Sequence, residues 1–551
     1  AIHKSAPPFL YSFGVAMIMP RLYQLALLVK CTSTAFSFGA APPPLKRSFA
    51  RAASRMPELV ETKKTPEQVE DELARAKRFI GFLDASPEPF HVVSTVASRL
   101  KTTGFVELDE RDLWGQGGLL EPGGKYFYSR EGAIVAFTVG GSCVAGEHGF
   151  KVIGAHTDSP ALKVKPRSKR GGSGFALLGV ETYGGGLWHT WFDRDLSLAG
   201  RVVVEGPSGV FKQRLVHVKD PILRVPTLCI HLQSTKEREA FAVNKEDHLS
   251  PILCTQVKKS LEGSGGVSTS KQEKGEEAEE AWVAAQDPVL LDLLASELGV
   301  SKAQVVDFDL TLYDTQGGAL GGARKEFVNG ARLDNLASCF AAVEALETHA
   351  SDAALLGADR DVSVVALFDH EEVGSGSESG AGSPIMRDAV ERITEALAAK
   401  AGSGGDSESF RAALHRSMIL SVDMAHAVHP NYASKHEKQH APAMNSGLVI
   451  KSNANQRYAT SGTTGFLVRQ LGRRVGVPVQ EFVVRNDCPC GSTIGPIIAA
   501  NTGMRAIDLG MPQLSMHSCR EMMGRADLTL AHTLFAAFFS DFRELDESLA
   551  R

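Results

Sequence analysis

The sequence predicts an α/β fold, with a mostly parallel sheet and helices on both faces, that is interrupted by a β-rich insertion. After residue 330, apolar strand-like runs alternate with helical periods, at 361–368, 386–399, 417–422, 464–475 and 480–484. This alternation is typical of parallel strands that are joined by crossover helices. Between about 167 and 322, the long helical periods give way to glycine-rich turns and short β-branched runs, such as 201–204 and 228–232, which indicate the insertion.

The first elements of the fold have local sequence signals. The run 65–68 combines a capping residue, a proline at the first helical position and an acid in the first turn, so we expect a helix from here toward Leu83. Alternating apolar runs at 133–139 and 150–155 predict strands. The second of these strands ends directly before His156.

Composition and charge argue against several classes of protein. The 551 residues carry a formal net charge of −5, which argues against nucleic-acid binding. No apolar run is long enough to span a bilayer convincingly, so we expect no membrane partner. The eight cysteines form no C-x-x-C pair, which indicates neither a disulfide scaffold nor a thiolate zinc site.

Two segments have compositions that do not suit a packed core. The first 57 residues contain seven Lys and Arg residues and no Asp or Glu, so we expect a targeting-like or disordered leader over 1–57. The run near 261–280 is rich in Gly, Ser, Lys and Glu and is expected to be a disordered surface loop. We expect a cytoplasmic protein, and the leader leaves a targeted or secreted form open.

Acidic and histidine side chains follow strand-like runs at four places, which are His156 with Asp158, Glu371 with Glu372, Asp423, and His517. In open α/β sheets, ligands gather at the carboxyl ends of the strands, so these residues are expected to converge. Asp334 adds a further carboxylate. Each residue alone would suit a turn or a helix cap. Together they have the ligand chemistry of a paired-zinc or similar hydrolytic site.

Three other catalytic motifs do not fit. A zincin helix needs a second histidine four residues after His370, and Gly374 occupies that position. No G-x-S-x-G elbow lies between a strand and a helix with a suitable order of acid and base. The glycine-serine turn at 374–377 lacks the lysine of a phosphate loop.

Six motifs along the chain closely resemble those of the aspartyl aminopeptidases, a family of cocatalytic zinc peptidases. They are GAHTDSP at 154–160, ETYGGG at 181–186, ARLDN at 331–335, EEVGS at 371–375, DMAHAVHPNY at 423–432 and MHS at 516–518. The resemblance spans about 66 to 542. It implies a zinc-peptidase-like fold and an enzyme that hydrolyses N-terminal Asp, and also Glu, from peptides.

The resemblance also implies two zinc ions per subunit and a role for each residue around them. The implied metal ligands are Asp334 as the bridge, Glu372 and His517 on one zinc ion, and His156 and Asp423 on the other. Glu371 would remain free as the general base for the attacking water. Asp158 would orient His156, and the peptide bond after Asp334 would be cis. Mn²⁺ or Co²⁺ would also suit such ligands.

Substrate binding and assembly are implied by the same resemblance. An acidic side chain buried in a pocket needs a cation, and the family pattern assigns Lys451 to this role, with Tyr458 and His429 nearby. The family forms a tetrahedral dodecamer through its β-rich insertion. His231 matches a histidine that reaches the active site of a neighbouring subunit. From the residues alone, His231 would belong to a core strand and Lys451 to an exposed strand end.

The predicted domain organisation follows from these parts. It consists of the leader over 1–57, a first part of the catalytic domain over 58–165, a β-rich dimerisation or oligomerisation domain over 166–325, and a second part of the catalytic domain over 326–551. Two alternatives remain open. One is a two-metal enzyme that acts on neutral N-terminal residues or small amides, and the other is a self-assembling shell or cargo protein whose role does not depend on catalysis.

Overall fold

The computed structural model describes residues 64–115, 119–256, 281–402 and 407–549. The leader predicted over 1–57 and the loop predicted near 261–280 lie outside the described residues. None of the helices in the described ranges combines the length and the hydrophobicity of a membrane-spanning segment.

The strands of the described chain form three sheets. In chain order they are β1 (Val106–Glu107), β2 (Lys125–Arg130), β3 (Ala133–Val139), β4 (Phe150–His156), β5 (Ala161–Gly172), β6 (Phe175–Tyr183), β7 (Leu196–Glu205), β8 (Phe211–His217), β9 (Ile252–Thr255), β10 (Val305–Asp314), β11 (Ala319–Gly321), β12 (Phe327–Gly330), β13 (Val362–Phe368), β14 (Met418–Val422), β15 (Ala425–His426), β16 (Leu448–Ser452), β17 (Val479–Val483), β18 (Arg505–Gly510), β19 (Pro512–Leu514) and β20 (Glu521–Gly524).

The α-helices of the described chain are α1 (Pro66–Ala85), α2 (Pro89–Thr102), α3 (Thr235–Glu239), α4 (Ala281–Ala284), α5 (Pro288–Leu298), α6 (Leu333–Ser351), α7 (Ala353–Ala358), α8 (Ile385–Lys400), α9 (Ser407–Arg416), α10 (Gly462–Val475), α11 (Ile494–Thr502) and α12 (Arg525–Ser548). The helix predicted from residue 65 is confirmed as α1. Thr65 caps its start, since the Thr65 side chain accepts a hydrogen bond from the backbone N–H of Gln68.

The main sheet has nine strands in the order β1-β2-β3-β13-β4-β14-β18-β16-β17. The four strands β13, β4, β14 and β18 run parallel to one another at its centre. Alternate residues of β4 face opposite sides of the sheet. Ile153 and Ala155 pack in the core that contains α6 and α12, whereas Val152 packs in the core that contains α8, α9 and α11. The predicted fold class is confirmed.

Two further sheets are antiparallel in most of their pairings. The second has the strand order β8-β7-β10-β5-β6-β9 and is built from residues 161–314, which confirms the β-rich character of the insertion. The third has the order β11-β12-β20-β19-β15, and two of its strands, β15 and β19, closely follow the central strands β14 and β18 in sequence. The division of the chain into domains at 58–165, 166–325 and 326–551 stays a prediction.

The strand predicted at 228–232 is wrong. Ile230–Leu232 forms a 3₁₀ turn instead, and Leu228 and Leu232 are 50% and 72% exposed. The apolar residues at 228, 230 and 232 have the alternation of a half-buried strand. No strand of the described chain pairs with this segment, so its backbone has no ladder to join. His231 therefore lies in an exposed turn and not in a core strand.

Candidate metal centre

The ends of three neighbouring parallel strands bring the predicted site residues together. β4 ends at His156, which is paired with the last residue of β13, Phe368. Glu371 and Glu372 follow β13 in a 3₁₀ turn, and Asp423 follows β14 on the other side of β4. This is the edge at which open α/β sheets bind their ligands.

The first group of side chains, called here the His156 cluster, consists of His156, Asp334 and Asp423. One ligand atom from each residue lies within 4.8 Å of the others. Nε2 of His156 is 3.4 Å from Oδ1 of Asp334 and 3.4 Å from Oδ1 of Asp423. Asp334 lies at the start of α6, and its peptide bond to Asn335 is cis, as the resemblance implied.

The second group, the Glu372 cluster, consists of Asp334, Glu372 and His517, again with ligand atoms within 4.8 Å. Nε2 of His517 is 3.2 Å from Oε1 of Glu372 and 3.5 Å from Oδ2 of Asp334. The two oxygens of Asp334 therefore face different clusters, which is the arrangement that a bridging carboxylate needs.

Both histidines turn the same ring nitrogen toward the centre. Nδ1 of His156 is 3.1 Å from the backbone oxygen of Asp158, and Nδ1 of His517 is 3.1 Å from that of Gly185. A carbonyl oxygen only accepts hydrogen bonds, so Nδ1 carries the proton in each ring. Nε2 is then the nitrogen that faces the clusters, and a neutral ring would offer its lone pair there to a metal.

The donor atoms of the two clusters fit zinc. Oδ1 of Asp334 and Oε1 of Glu372 are buried, and neither has a hydrogen-bond partner. Buried carboxylate oxygens without a partner are strongly disfavoured unless a cation compensates them. Imidazole nitrogen together with carboxylate oxygen is a ligand set that zinc accepts. The unpartnered oxygens and the two shared clusters therefore suit a pair of divalent cations.

Glu371 lies beside the clusters but belongs to neither. Its Oε2 is 4.0 Å from Nε2 of His156. Burial raises the pKa of the Glu371 carboxyl to about 8, and the negative charges of Asp423, Glu372 and Asp158 add to the rise against the opposing effect of His156. A carboxylate with this position is available to exchange a proton.

Asp158 holds the turn that carries the two glutamates. Its carboxylate accepts hydrogen bonds from the backbone N–H groups of Glu371, at 3.1 Å, and Glu372, at 3.0 Å. Oδ1 of Asp158 is also 3.4 Å from Nδ1 of His156. The phenol of Tyr183 donates a further hydrogen bond to Asp158 over 2.7 Å.

A cavity of about 480 Å³ adjoins the metal ligands, and Lys451 and Tyr458 are among the residues that line it. Lys451 is 3% exposed, in contrast to the exposed position that the residues alone would suggest. Its Nζ donates a hydrogen bond to Oδ2 of Asp423 over 3.0 Å and lies 5.6 Å from the centre of the Tyr458 ring. The cavity therefore has one buried ammonium group beside the ligands.

Two residues assigned to substrate binding lie elsewhere in this subunit. His429 packs against Tyr432, with ring centres 4.8 Å apart, and does not belong to the described lining of the cavity. His231, in its exposed turn, is not part of that lining either. Their roles in substrate binding stay predictions.

Sequence reasoning missed two residues at this site. His426, three residues after Asp423, lines the cavity in which His429 was expected. Tyr183 lies within the ETYGGG motif and holds Asp158, yet no role was predicted for it. The motifs contained both residues, but a motif alone does not indicate which of its side chains faces the centre.

Known proteins match most of the length of this chain. The family model of the aminopeptidase I zinc metalloproteases, M18, matches residues 82–539. A probable aspartyl aminopeptidase of Ricinus communis is 48% identical over 482 residues, which cover 85% of this chain and 96% of that protein.

Solved structures give the same result. The structure of the Ape4 and Nbr1 complex matches with a TM-score of 0.80 and 41% identity, over 88% of this chain and 89% of the other. The S. cerevisiae mApe1 dodecamer matches with a TM-score of 0.72 and 31% identity, over 87% and 99%. This chain therefore belongs to the aminopeptidase I zinc metalloprotease family, M18, and is a metal-dependent peptidase.

Proposed function

We propose that this protein removes N-terminal Asp and Glu residues from peptides, with two zinc ions per subunit and Glu371 as the general base. One observation carries the proposal: two ligand clusters share Asp334, and Glu371 lies beside them without belonging to either. The acidic substrate is supported by Lys451 in the adjoining cavity and by the name of the Ricinus communis relative.

The zinc ions would be held by the five residues of the two clusters, His156, Asp334, Glu372, Asp423 and His517. Zinc bound there would act as a Lewis acid and lower the pKa of a bound water. Mn²⁺ and Co²⁺ accept the same ligands, so either could replace zinc at one site. The backbone carbonyls at Nδ1 of both histidines keep Nε2 directed at the centre.

Glu371 performs the proton transfers in this mechanism. Its carboxylate takes a proton from the attacking water as the new C–O bond forms at the scissile carbonyl carbon. It then gives the proton to the leaving amine as the C–N bond breaks. Asp158 supports the step because it accepts a hydrogen bond from the backbone N–H of Glu371 and so fixes the turn that carries the base.

Lys451 selects the acidic side chain of the substrate. A carboxylate that enters the cavity loses its water shell, and it needs a cation in compensation. Lys451 provides an ammonium group that is itself buried, with Tyr458 beside it. The substrate carboxylate would bind Nζ of Lys451 from the cavity side, next to Asp423.

A panel of aspartyl, glutamyl and leucyl anilides, together with zinc analysis of the purified protein, tests the proposal. We expect two zinc ions per subunit and faster turnover of the acidic substrates. Lys451→Met is expected to lower kcat/KM for the aspartyl substrate about 10- to 100-fold, because a hydrogen bond to a charged group is lost. The exposed Lys435 provides the matched control, Lys435→Met.

The outcomes separate the parts of the proposal. A leucyl preference in the wild type would contradict the acidic substrate and leave the metal chemistry standing. A single zinc ion per subunit in a fully active enzyme would contradict the two-zinc mechanism. Equal losses on acidic and leucyl substrates in Lys451→Met would remove Lys451 from its role in specificity.

We also propose that the chain forms a homo-oligomer, as a tetrahedral dodecamer. Large apolar side chains of the insertion are exposed in the single subunit, which supports a covered surface; they are Leu228, Ile230, Leu232 and Phe241. The mApe1 relative is a dodecamer. Light scattering should give the mass of twelve subunits, and Leu232→Asp should lower it. His231→Ala should keep the assembly and reduce turnover if this residue reaches a neighbouring active site.

A further inference from the structure

Behind the Glu372 cluster lies a buried carboxylate that the proposed mechanism does not use. Glu521 begins β20 and is 4% exposed. Its Oε2 accepts a hydrogen bond from the backbone N–H of Asp334 over 2.9 Å, and its Oε1 accepts one from the backbone N–H of His517 over 2.7 Å. One side chain therefore binds the main chain of two of the three residues in the cluster.

The third sheet explains how Glu521 reaches both residues. β20 pairs with β12, where Glu521 lies opposite Gly330, and it also pairs with β19. Asp334 follows β12 within four residues, and His517 follows β19 within three. Strand pairing thus brings Glu521 to Asp334, which is 187 residues away in sequence, and also to His517.

The backbone around these contacts needs to be held. His517 has φ 64°, and Ser515 has φ 60°. Residues other than glycine seldom adopt this left-handed conformation, and it persists where surrounding contacts fix it. The hydrogen bond from His517 to Glu521 is such a contact, and it acts on the residue that presents the ligand nitrogen.

Asp158 has the same relation to the third residue of the Glu372 cluster, Glu372, and to Glu371. It accepts hydrogen bonds from the backbone of Glu371 and Glu372, as Glu521 does from Asp334 and His517. Two buried carboxylates therefore fix the backbone around the metal centre, and each accepts hydrogen bonds from two backbone N–H groups.

We propose that Glu521 is a positioning residue that sets the zinc affinity of the Glu372 cluster by holding the backbone of Asp334 and His517. This inference rests on the proposed two-zinc function. A carboxylate suits the position because both of its oxygens accept, whereas an amide would set an NH₂ group against one of the two N–H donors. The effect should be larger in the Glu372 cluster than in the His156 cluster, which contains Asp334 but not His517.

Zinc affinity of the intact protein, measured by competition with a chelator, tests the proposal. In Glu521→Gln, one of the two zinc ions per subunit should bind about 10- to 100-fold more weakly, the usual effect of losing a partner that orients a ligand. The other zinc ion should change much less. Anomalous scattering from crystals with one zinc ion per subunit should show that the Glu372 cluster is the emptied site.

Asp527→Asn is the matched control. Asp527 is also buried, and its carboxylate accepts backbone N–H groups of Asn445, at 2.6 Å, and Gly447, at 2.9 Å, yet it contacts neither cluster. Asp527→Asn should lower the thermal midpoint and leave both zinc affinities unchanged. Equal weakening of zinc in both variants would show a general loss of stability and overturn the proposal.

Two further outcomes are decisive. A single zinc ion per subunit in fully active wild-type protein would contradict the proposed two-zinc mechanism, whereas two zinc ions with unchanged affinity in Glu521→Gln would reject only the role of Glu521. If Glu521→Gln does not fold, Glu521→Asp keeps the charge but shortens the reach to the two N–H groups. Selective loss at one zinc is then expected, and its absence in the variant that folds contradicts the proposal.

Discussion

Buried charged residues lie at both ends of β4, in the metal centre at one end and around Lys151 at the other. Only in the group around Lys151 do all the buried carboxylate oxygens have hydrogen-bond partners. β4 ends at His156 in the metal centre, and Lys151 lies near its other end, about 16 Å away at the usual rise of a strand. The Lys151 cluster consists of Lys151, His349, Asp359 and Ser363. Nζ of Lys151 donates to both oxygens of Asp359 over 2.8 Å and also to the backbone oxygen of Phe539.

The Lys151 cluster satisfies its carboxylate from within. Nε2 of His349 lies 3.0 Å from Oδ2 of Asp359, and the Ser363 hydroxyl donates to the same oxygen over 3.2 Å. In the metal centre, by contrast, Asp334 and Glu372 each have a buried carboxylate oxygen without a hydrogen-bond partner, whereas the unpartnered buried atom of the Lys151 cluster is a ring nitrogen, Nδ1 of His349. The Lys151 cluster is therefore suited to stabilising the fold, and the metal centre to binding cations. Substitutions in the Lys151 cluster should affect stability, whereas substitutions in the metal centre should affect turnover.

The largest expected effect is on turnover in the metal centre. Glu371→Gln should lower kcat about 10²- to 10⁴-fold, because an amide cannot accept the proton of the attacking water. Zinc content and thermal midpoint should stay at wild-type values, since Glu371 belongs to neither ligand cluster. Steady-state kinetics on an aspartyl anilide, together with zinc analysis, measure both quantities.

Glu378→Gln is the control for this prediction. Glu378 is an exposed carboxylate a few residues further along the same segment, and its loss should leave kcat unchanged. Turnover that survives in Glu371→Gln would assign the proton transfer to another group.

The second prediction concerns stability in the Lys151 cluster. Lys151→Met should lower the free energy of unfolding by about 3–5 kcal/mol, because it leaves the carboxylate of Asp359 buried without its ammonium partner. Urea unfolding measures this change, and kcat should remain that of the wild type. Lys302→Met, which breaks an exposed ion pair with Asp292, should cost less than about 1 kcal/mol. Similar losses in both variants would contradict the role of burial.

The sequence predicted the metal centre better than the Lys151 cluster, because the residues of the metal centre form recognisable local patterns along the chain. Histidine and carboxylate residues directly after apolar runs indicate strand ends, and the ends of parallel strands converge. Of the five ligand candidates, His156, Glu372 and Asp423 come together in this way, whereas Asp334 lies in the first turn of α6 and His517 follows β19 of the third sheet. Lys151 lies inside an apolar run, where nothing in the local sequence indicates that Asp359 will pair with it.

Contacts that join distant segments were equally hidden. Glu521 binds the backbone of Asp334 and Tyr183 binds Asp158, each through a hydrogen bond whose partners are brought together by strand pairing. The spacing of residues in the sequence does not indicate which strands pair. The error at 228–232 has a related cause. Alternating apolar residues suit a half-buried strand and an exposed turn at a surface equally well, and only the presence of a neighbouring strand decides between them.

The third prediction uses pH to test the ionisation of Asp359 in the Lys151 cluster. Burial alone would raise the pKa of Asp359, but the charge of Lys151 and the hydrogen bonds from His349 and Lys151 outweigh it and lower the pKa from 3.8 to about 2. A carboxyl whose pKa is lower in the folded state stabilises the fold above its unfolded pKa. That contribution, about 2 kcal/mol, is lost as the pH falls from 4 through 2.

Asp359→Asn tests this sign. The difference in unfolding free energy between the wild type and this variant should be constant from pH 7 to about 5 and should shrink below pH 4. A difference that grows on acidification would mean that Asp359 is not ionised in the folded protein.

The smallest expected effect is at the edge of the metal centre. Tyr183→Phe removes the hydrogen bond of 2.7 Å from the phenol to Asp158, which then keeps its contacts with the backbone of Glu371 and Glu372. We expect kcat to fall about tenfold with KM unchanged, because a hydrogen bond to a charged acceptor contributes about 1.5 kcal/mol or more.

Tyr128→Phe is the control, because it removes a buried hydroxyl that donates to the backbone oxygen of Ile385, and it should leave kcat unchanged. If both variants lose stability but neither loses turnover, Tyr183 stabilises the fold, as the residues of the Lys151 cluster do, and has no role in turnover. A loss of turnover in Tyr183→Phe alone would extend the metal centre by one residue, to the phenol that holds its orienting carboxylate.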